Sequence, residues 1–101
     1  MSSHSIKVHK TYRMVAAICD SEILGKRFEE GIRVLDVTKS FFGGEEIESE
    51  KLRDLIVDLA REDSTFNIAG KNSVRIALEC GLVSRMGVRI VDGIPFALVL
   101  L

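Results

Sequence analysis

Ile6 and Val8 alternate with Lys7 and His9, the two-residue period of a strand with one buried face, and Met14 to Cys19 then runs apolar on both faces. The two segments predict a strand pair turning between Lys10 and Arg13. From Asp20 to Gly31 the chain becomes charged and is punctuated by Gly25 and Gly31, which predicts a loop with a short helical turn. Ile32-Arg33-Val34-Leu35-Asp36-Val37 resumes a strand, and Phe41-Phe42-Gly43-Gly44 marks a chain reversal that closes the N-terminal half. Two adjacent phenylalanines there could stack on a base, but before a double glycine they read more simply as a cap on the core.

The pattern then changes to the helical period. Leu52, Leu55, Ile56, Leu59 and Ala60 fall at i, i+3, i+4, i+7 and i+8, an apolar stripe with the acids turned to solvent; Ser49 suits the N-cap and Glu50 the first turn. A second helix is expected from about Asn72. It buries Val74, Ala77 and Leu78 with help from Ile76 and Cys80, sets Arg75 and Glu79 on its outer face, and stops at Gly81. Val88-Arg89-Ile90-Val91 and Phe96-Ala97-Leu98-Val99-Leu100 flank Asp92-Gly93, the chemistry of a two-residue hairpin turn, with Pro95 at a strand start and the apolar run after it buried on both faces. The expected order is β-β-β-α-α-β-β, an α+β fold over residues 1–101 as a single domain, with a mainly antiparallel sheet packed against two helices. A helix-turn-helix needs a shorter joint than the about eight residues separating Glu62 from Asn72.

A 47% hydrophobic and 29% charged composition is that of a globular chain, so a packed core is expected. The net charge is −1, which argues against a general electrostatic binder of nucleic acid. The charge is uneven, however: residues 45–63 carry eight acids and three bases, and the segments on either side are mildly basic. Local basic patches thus remain available. Cys19 and Cys80 lie far apart, with no Cys-x-x-Cys and no histidine at ligand spacing, so no metal site is expected and reduced buried thiols are. The first residues lack a signal-peptide pattern, and no apolar run approaches the roughly 20 residues that span a bilayer, so a cytoplasmic protein without membrane contact is expected.

Candidate chemistry concentrates at Asn67-Ile68-Ala69-Gly70-Lys71-Asn72-Ser73, where glycine, lysine and capping residues meet the start of an apolar helix. Unpaired N–H groups and partial positive charge there could hold a phosphate, or Asn72 or Ser73 could satisfy those groups internally. A P-loop is excluded, because Thr65 stands where the first glycine of that motif belongs. Lys26-Arg27 could likewise meet phosphates, or pair with Glu29 and Glu30 at the surface. Catalytic signals are poorer. His4 falls in a frayed terminus and His9 on an outward strand face, and nothing orients or activates a nucleophile, so catalytic residues and cofactors are both expected to be none.

The chain resembles the small archaeal family catalogued as domain of unknown function 424. The resemblance rests on Ala16-Ala17-Ile18-Cys19-Asp20, Leu24 through Gly31, Phe42-Gly43-Gly44-Glu45, Asn67 through Val83, and Val88-Arg89-Ile90 followed by Gly93-Ile94-Pro95, in that order. It implies an archaeal cytoplasmic protein with a link to RNA or translation, and supplies no catalytic residues. The expected function is a non-catalytic binding module in which Lys26, Arg27, Gly70, Lys71, Asn72, Ser73 and Arg75 contact anionic groups, foremost RNA phosphates. The alternatives are a small enzyme or binding protein for a phosphorylated metabolite, with Asp20 moving the proton if it is an enzyme, and a structural subunit of a larger complex using the acidic helix face. The apolar C-terminal strand Leu98-Val99-Leu100-Leu101 suggests a homodimer unless its own sheet covers it.

Overall fold

The computed structural model describes residues 3–100. The first strand pair forms as its periodicity requires, but begins earlier: β1 spans Ser3–Lys10 and pairs antiparallel with β2, Met14–Asp20, so His4 lies opposite Asp20. A helical turn follows at Ser21–Ile23. Then β3 (Arg27–Glu30) and β4 (Arg33–Asp36) make a separate hairpin, and α1 (Lys39–Phe42) is a single turn capped by the Thr38 hydroxyl, which accepts from the Phe41 N–H. Next come β5 (Glu45–Glu48), α2 (Ser49–Arg61), β6 (Thr65–Ala69), α3 (Lys71–Glu79), β7 (Val88–Val91) and β8 (Ile94–Val99).

The fold is α+β with a mostly antiparallel sheet, but its order has three strands, β3, β5 and β6, beyond β-β-β-α-α-β-β. Each is short with one or two inward apolar side chains, too few for a local period to stand out: Phe28 in β3, Ile47 in β5, Phe66 and Ile68 in β6. The large sheet runs β5-β1-β2-β6-β8-β7, and only the β2–β6 pair is parallel among the described residues. Such a pair needs a long crossover. Here it includes α2, and β6 fills the joint that separates α2 from α3.

Alternation along β2 and β6 divides the core between two faces. Ala16, Ile18, Phe66 and Ile68 pack beneath α2 and α3 with Leu52, Ile56, Val74 and Ile76. Ala17, Cys19 and Ala69 face the other way, under β3, β4 and α1, with Leu35, Val37 and Phe42. The β2 strand is therefore apolar on both sides because it is covered on both sides. Burial pushes the Cys19 thiol up to about 12, with the Asp20 charge adding to the shift, so it stays protonated and unreactive near neutral pH. Within α2 the deepest residues are Leu52, Ile56 and Leu59, while Leu55 and, from α3, Leu78 pack at the rim.

The helix and turn signals near the C-terminus act where they stand. Gly81 ends α3 in the left-handed conformation, with Leu82 N–H donating to the Ala77 carbonyl and Gly81 N–H to that of Leu78. Asp92 and Gly93, at φ 50° and 78°, turn the chain from β7 into β8. The β8 strand lies inside the sheet between β6 and β7, so its own sheet covers both edges and the strand offers no free edge to a second copy; Leu101 falls outside the described residues. Burial of β8 on both faces does not hold throughout, as Leu98 is 52% exposed. No helix among the described residues is long and apolar enough to cross a membrane.

Candidate anion-binding groove

The start of α3 is occupied by this chain's own carboxylate. Asp20, at the end of β2, sits 2% exposed, one oxygen accepting from the Ser73 N–H and hydroxyl at 2.7 Å each and the other from the Asn72 N–H at 3.0 Å. Capping is internal, as Asn72 and Ser73 allowed, but the acceptor comes from a strand distant in sequence rather than from either residue. Gly70 makes this possible. Its backbone, at φ 109° and ψ 152°, lies in a region open almost solely to glycine, and a Cβ there would stand 2.5 Å from the Asp20 carboxyl carbon. The N–H groups an outside phosphate would need are thus already engaged.

Next to Asp20 lies His4, which is fully buried and not frayed. Its Nδ1 is 2.7 Å from the Ser73 hydroxyl and its Nε2 is 2.8 Å from the Ser49 hydroxyl, so one ring bridges the first turns of both helices. Ser49 is accordingly the first residue of α2 rather than its cap; Glu48 takes that position without a side-chain bond. The single Ser73 hydroxyl proton goes to Asp20, so Nδ1 must carry the ring proton and donate to Ser73, leaving Nε2 to accept from Ser49. Burial lowers the His4 pKa below 6.5; the Asp20 charge opposes that shift and the Arg75 charge adds to it.

The folded-state pKa lies below the unfolded one, so the unfolded chain binds the proton first on acidification. The stability contributed by neutral His4 is complete above about pH 6.5 and is lost as pH falls through the lowered pKa. Urea denaturation should give a midpoint that drops between pH 7.5 and 5. In His4→Gln that drop should shrink, and an unchanged drop would show that another group carries it.

Outside this sealed network, α3 presents an open groove. Lys71 and Arg75 stand one turn apart on its outer face, and with Arg85, from the turn at Arg85–Gly87, they rim a cavity of about 310 Å³. Its floor is Val74, Leu78, Val88, Ile90 and Pro95. None of the three cations has a carboxylate within salt-bridge distance among the described residues. Glu79, expected beside Arg75, is drawn instead to Arg53 of α2. A larger cavity of about 480 Å³ between α2 and the end of α3 has no such rim: Arg61 is its one cation and lies 4.0 Å from the Asp58 carboxylate.

The seven residues expected to contact anions do not converge. Gly70, Asn72 and Ser73 serve Asp20; Lys71 and Arg75 line the groove; Lys26 and Arg27 lie in the layer across the sheet from α3. Arg27 is held by Glu29 at 3.2 Å and Asp36 at 4.0 Å, the surface pairing that its neighbours allowed. Arg85 was not among the expected residues, since nothing local marks it and only the return of β7 beside α3 brings it to the groove. His9 is half-buried rather than on an outward face: it stacks on Phe41 and lies 2.8 Å from the Phe41 carbonyl, which leaves Phe41 spoken for within the fold.

Taken together, these features define a small α+β domain with a buried Asp-Ser-His-Ser network and an open cationic groove. The chain belongs to the family described as protein of unknown function DUF424, whose model matches residues 8–101. It is similar to the crystal structure of an uncharacterized conserved protein from Methanopyrus kandleri, with a TM-score of 0.84 at 21% identity over 97% of this chain and 92% of that one. That likeness establishes the fold. Comparison with curated proteins gives no match.

Proposed function

We propose that this chain is a non-catalytic binding module for RNA, and that the phosphates lie against Lys71, Arg75 and Arg85. The observation that supports the reading is the combination of three cations lacking acidic partners among the described residues with an apolar floor between them. Cations of a solvated surface are commonly offset by nearby acids, as Arg27 is; uncompensated ones concentrate positive potential and attract phosphate. The enzyme alternative loses its proposed acid, because Asp20 is buried and its oxygens are engaged by Asn72 and Ser73.

Binding of single-stranded RNA to three cations should weaken with salt along a log–log slope of about −2. Lys71→Ala/Arg75→Ala should make that slope shallower by about 1.4, whereas Lys26→Ala/Arg27→Ala should leave it unchanged. Fluorescence anisotropy across a salt series reads both. Unaltered binding by folded Lys71→Ala/Arg75→Ala rules the groove out. A shallow slope with preference for one mononucleotide would favour a phosphorylated metabolite instead.

A further inference from the structure

We infer that the bound RNA is single-stranded and that its path leaves the groove, rounds the free edge of β7, and enters a second cleft where Arg33 and Arg89 receive further phosphates. The inference rests on the reading of the first groove as an RNA site and extends it across the sheet. The β7 strand is the last of the large sheet and pairs only with β8 among the described residues. Its side chains alternate: Val88 and Ile90 line the first groove, whereas Arg89 and Val91 line a cavity of about 310 Å³ on the opposite face, completed by Arg33 and Val34 of β4. One edge strand is all that separates the two.

Charge continues across that strand. Neither Arg33 nor Arg89 has a carboxylate within salt-bridge distance among the described residues, and Arg89 Nη1 donates to the Met86 carbonyl at 3.5 Å. The neighbouring Glu30 carboxylate accepts from the Asp92 N–H at 2.9 Å. Cations thus stand on both faces of a single exposed strand.

The geometry selects the form of RNA. A duplex is stiff over far more than the width of a strand and cannot turn around an edge, whereas a single strand bends there freely. Both clefts also offer apolar surface, Ile90 and Pro95 in one, Val34 in the other. A duplex keeps its base faces stacked and cannot use that surface; unpaired bases can.

The test compares a single strand of about twelve nucleotides, its duplex, and a single strand of about three nucleotides, the last short enough to occupy one groove. Wild type should bind the long single strand at least about tenfold more tightly than the duplex. Arg33→Ala/Arg89→Ala should make the salt slope for the long strand shallower by about 1.4 and leave the short strand unaffected. Both positions are exposed, and Arg33→Gln/Arg89→Gln serves if the alanine variant does not fold. Equal or tighter duplex binding, or an unchanged slope in the arginine variants, overturns the inference. If Lys71→Ala/Arg75→Ala still loses binding in that case, the groove reading survives alone; if it does not, both fall.

Discussion

Asp20→Ala is expected to destabilise the protein by roughly 3–5 kcal/mol, a large share of the 5–15 kcal/mol that holds a typical domain together. The carboxylate accepts three hydrogen bonds at the start of α3, and its loss leaves the buried Ser73 N–H and the half-buried Asn72 N–H without that acceptor. Each buried donor left unpaired costs about 1–3 kcal/mol. The effect then spreads: the Ser73 hydroxyl no longer has Asp20 to donate to, and the orientation of His4 between the two helices is lost with it. Asp20→Asn is the informative companion. It keeps the shape, but its amide nitrogen must face one of those N–H groups, donor against donor, so it should recover only part of the loss. Urea denaturation at pH 7.5 reads both variants, and a change below 1 kcal/mol for Asp20→Ala would mean that the cap is not structural.

Gly70→Ala should cost a comparable amount, roughly 3–5 kcal/mol, from two separate sources. The backbone at φ 109° and ψ 152° is strained for any residue with a Cβ, by about 1–3 kcal/mol, and the added carbon would lie 2.5 Å from the Asp20 carboxyl carbon and 2.8 Å from both its oxygens. Relief requires moving either the cap or the strand that carries it. Combining Gly70→Ala with Asp20→Ala removes the clash but not the backbone strain, so the double variant should be less destabilised than the sum of the two. Strict additivity would mean that the two residues do not meet as described.

Much of this architecture could be read locally, because local chemistry fixes it. Asp92-Gly93 turns the final hairpin, Gly81 stops α3, and the Leu52 stripe sets the buried face of α2. The buried network was legible in principle: His4 is two residues before Ile6, and Asp20 two after Ile18, so strand alternation places both on the helix side of the sheet. Reading His4 as frayed stopped the alternation one step short. The β5 strand carries no comparable signal, since Ile47 is its lone buried residue and the strand exists through its pairing with β1. The groove was half visible, with Lys71 and Arg75 one helical turn apart. Arg85 and Arg89 could not be joined to them without knowing that β7 returns beside α3, a tertiary fact that no window of sequence contains.

Backbone amide shifts in NMR spectra, followed as a single-stranded RNA of about twelve nucleotides is added, read out whether RNA lies against the groove between α3 and β7. Perturbations should cluster on residues 71–78 and 85–95 and extend to Arg33 and Val34 of β4, with Lys26 and Arg27 silent. Perturbations confined to the face bearing Lys26 and Arg27, or none at all at saturating RNA and low salt, would contradict that placement.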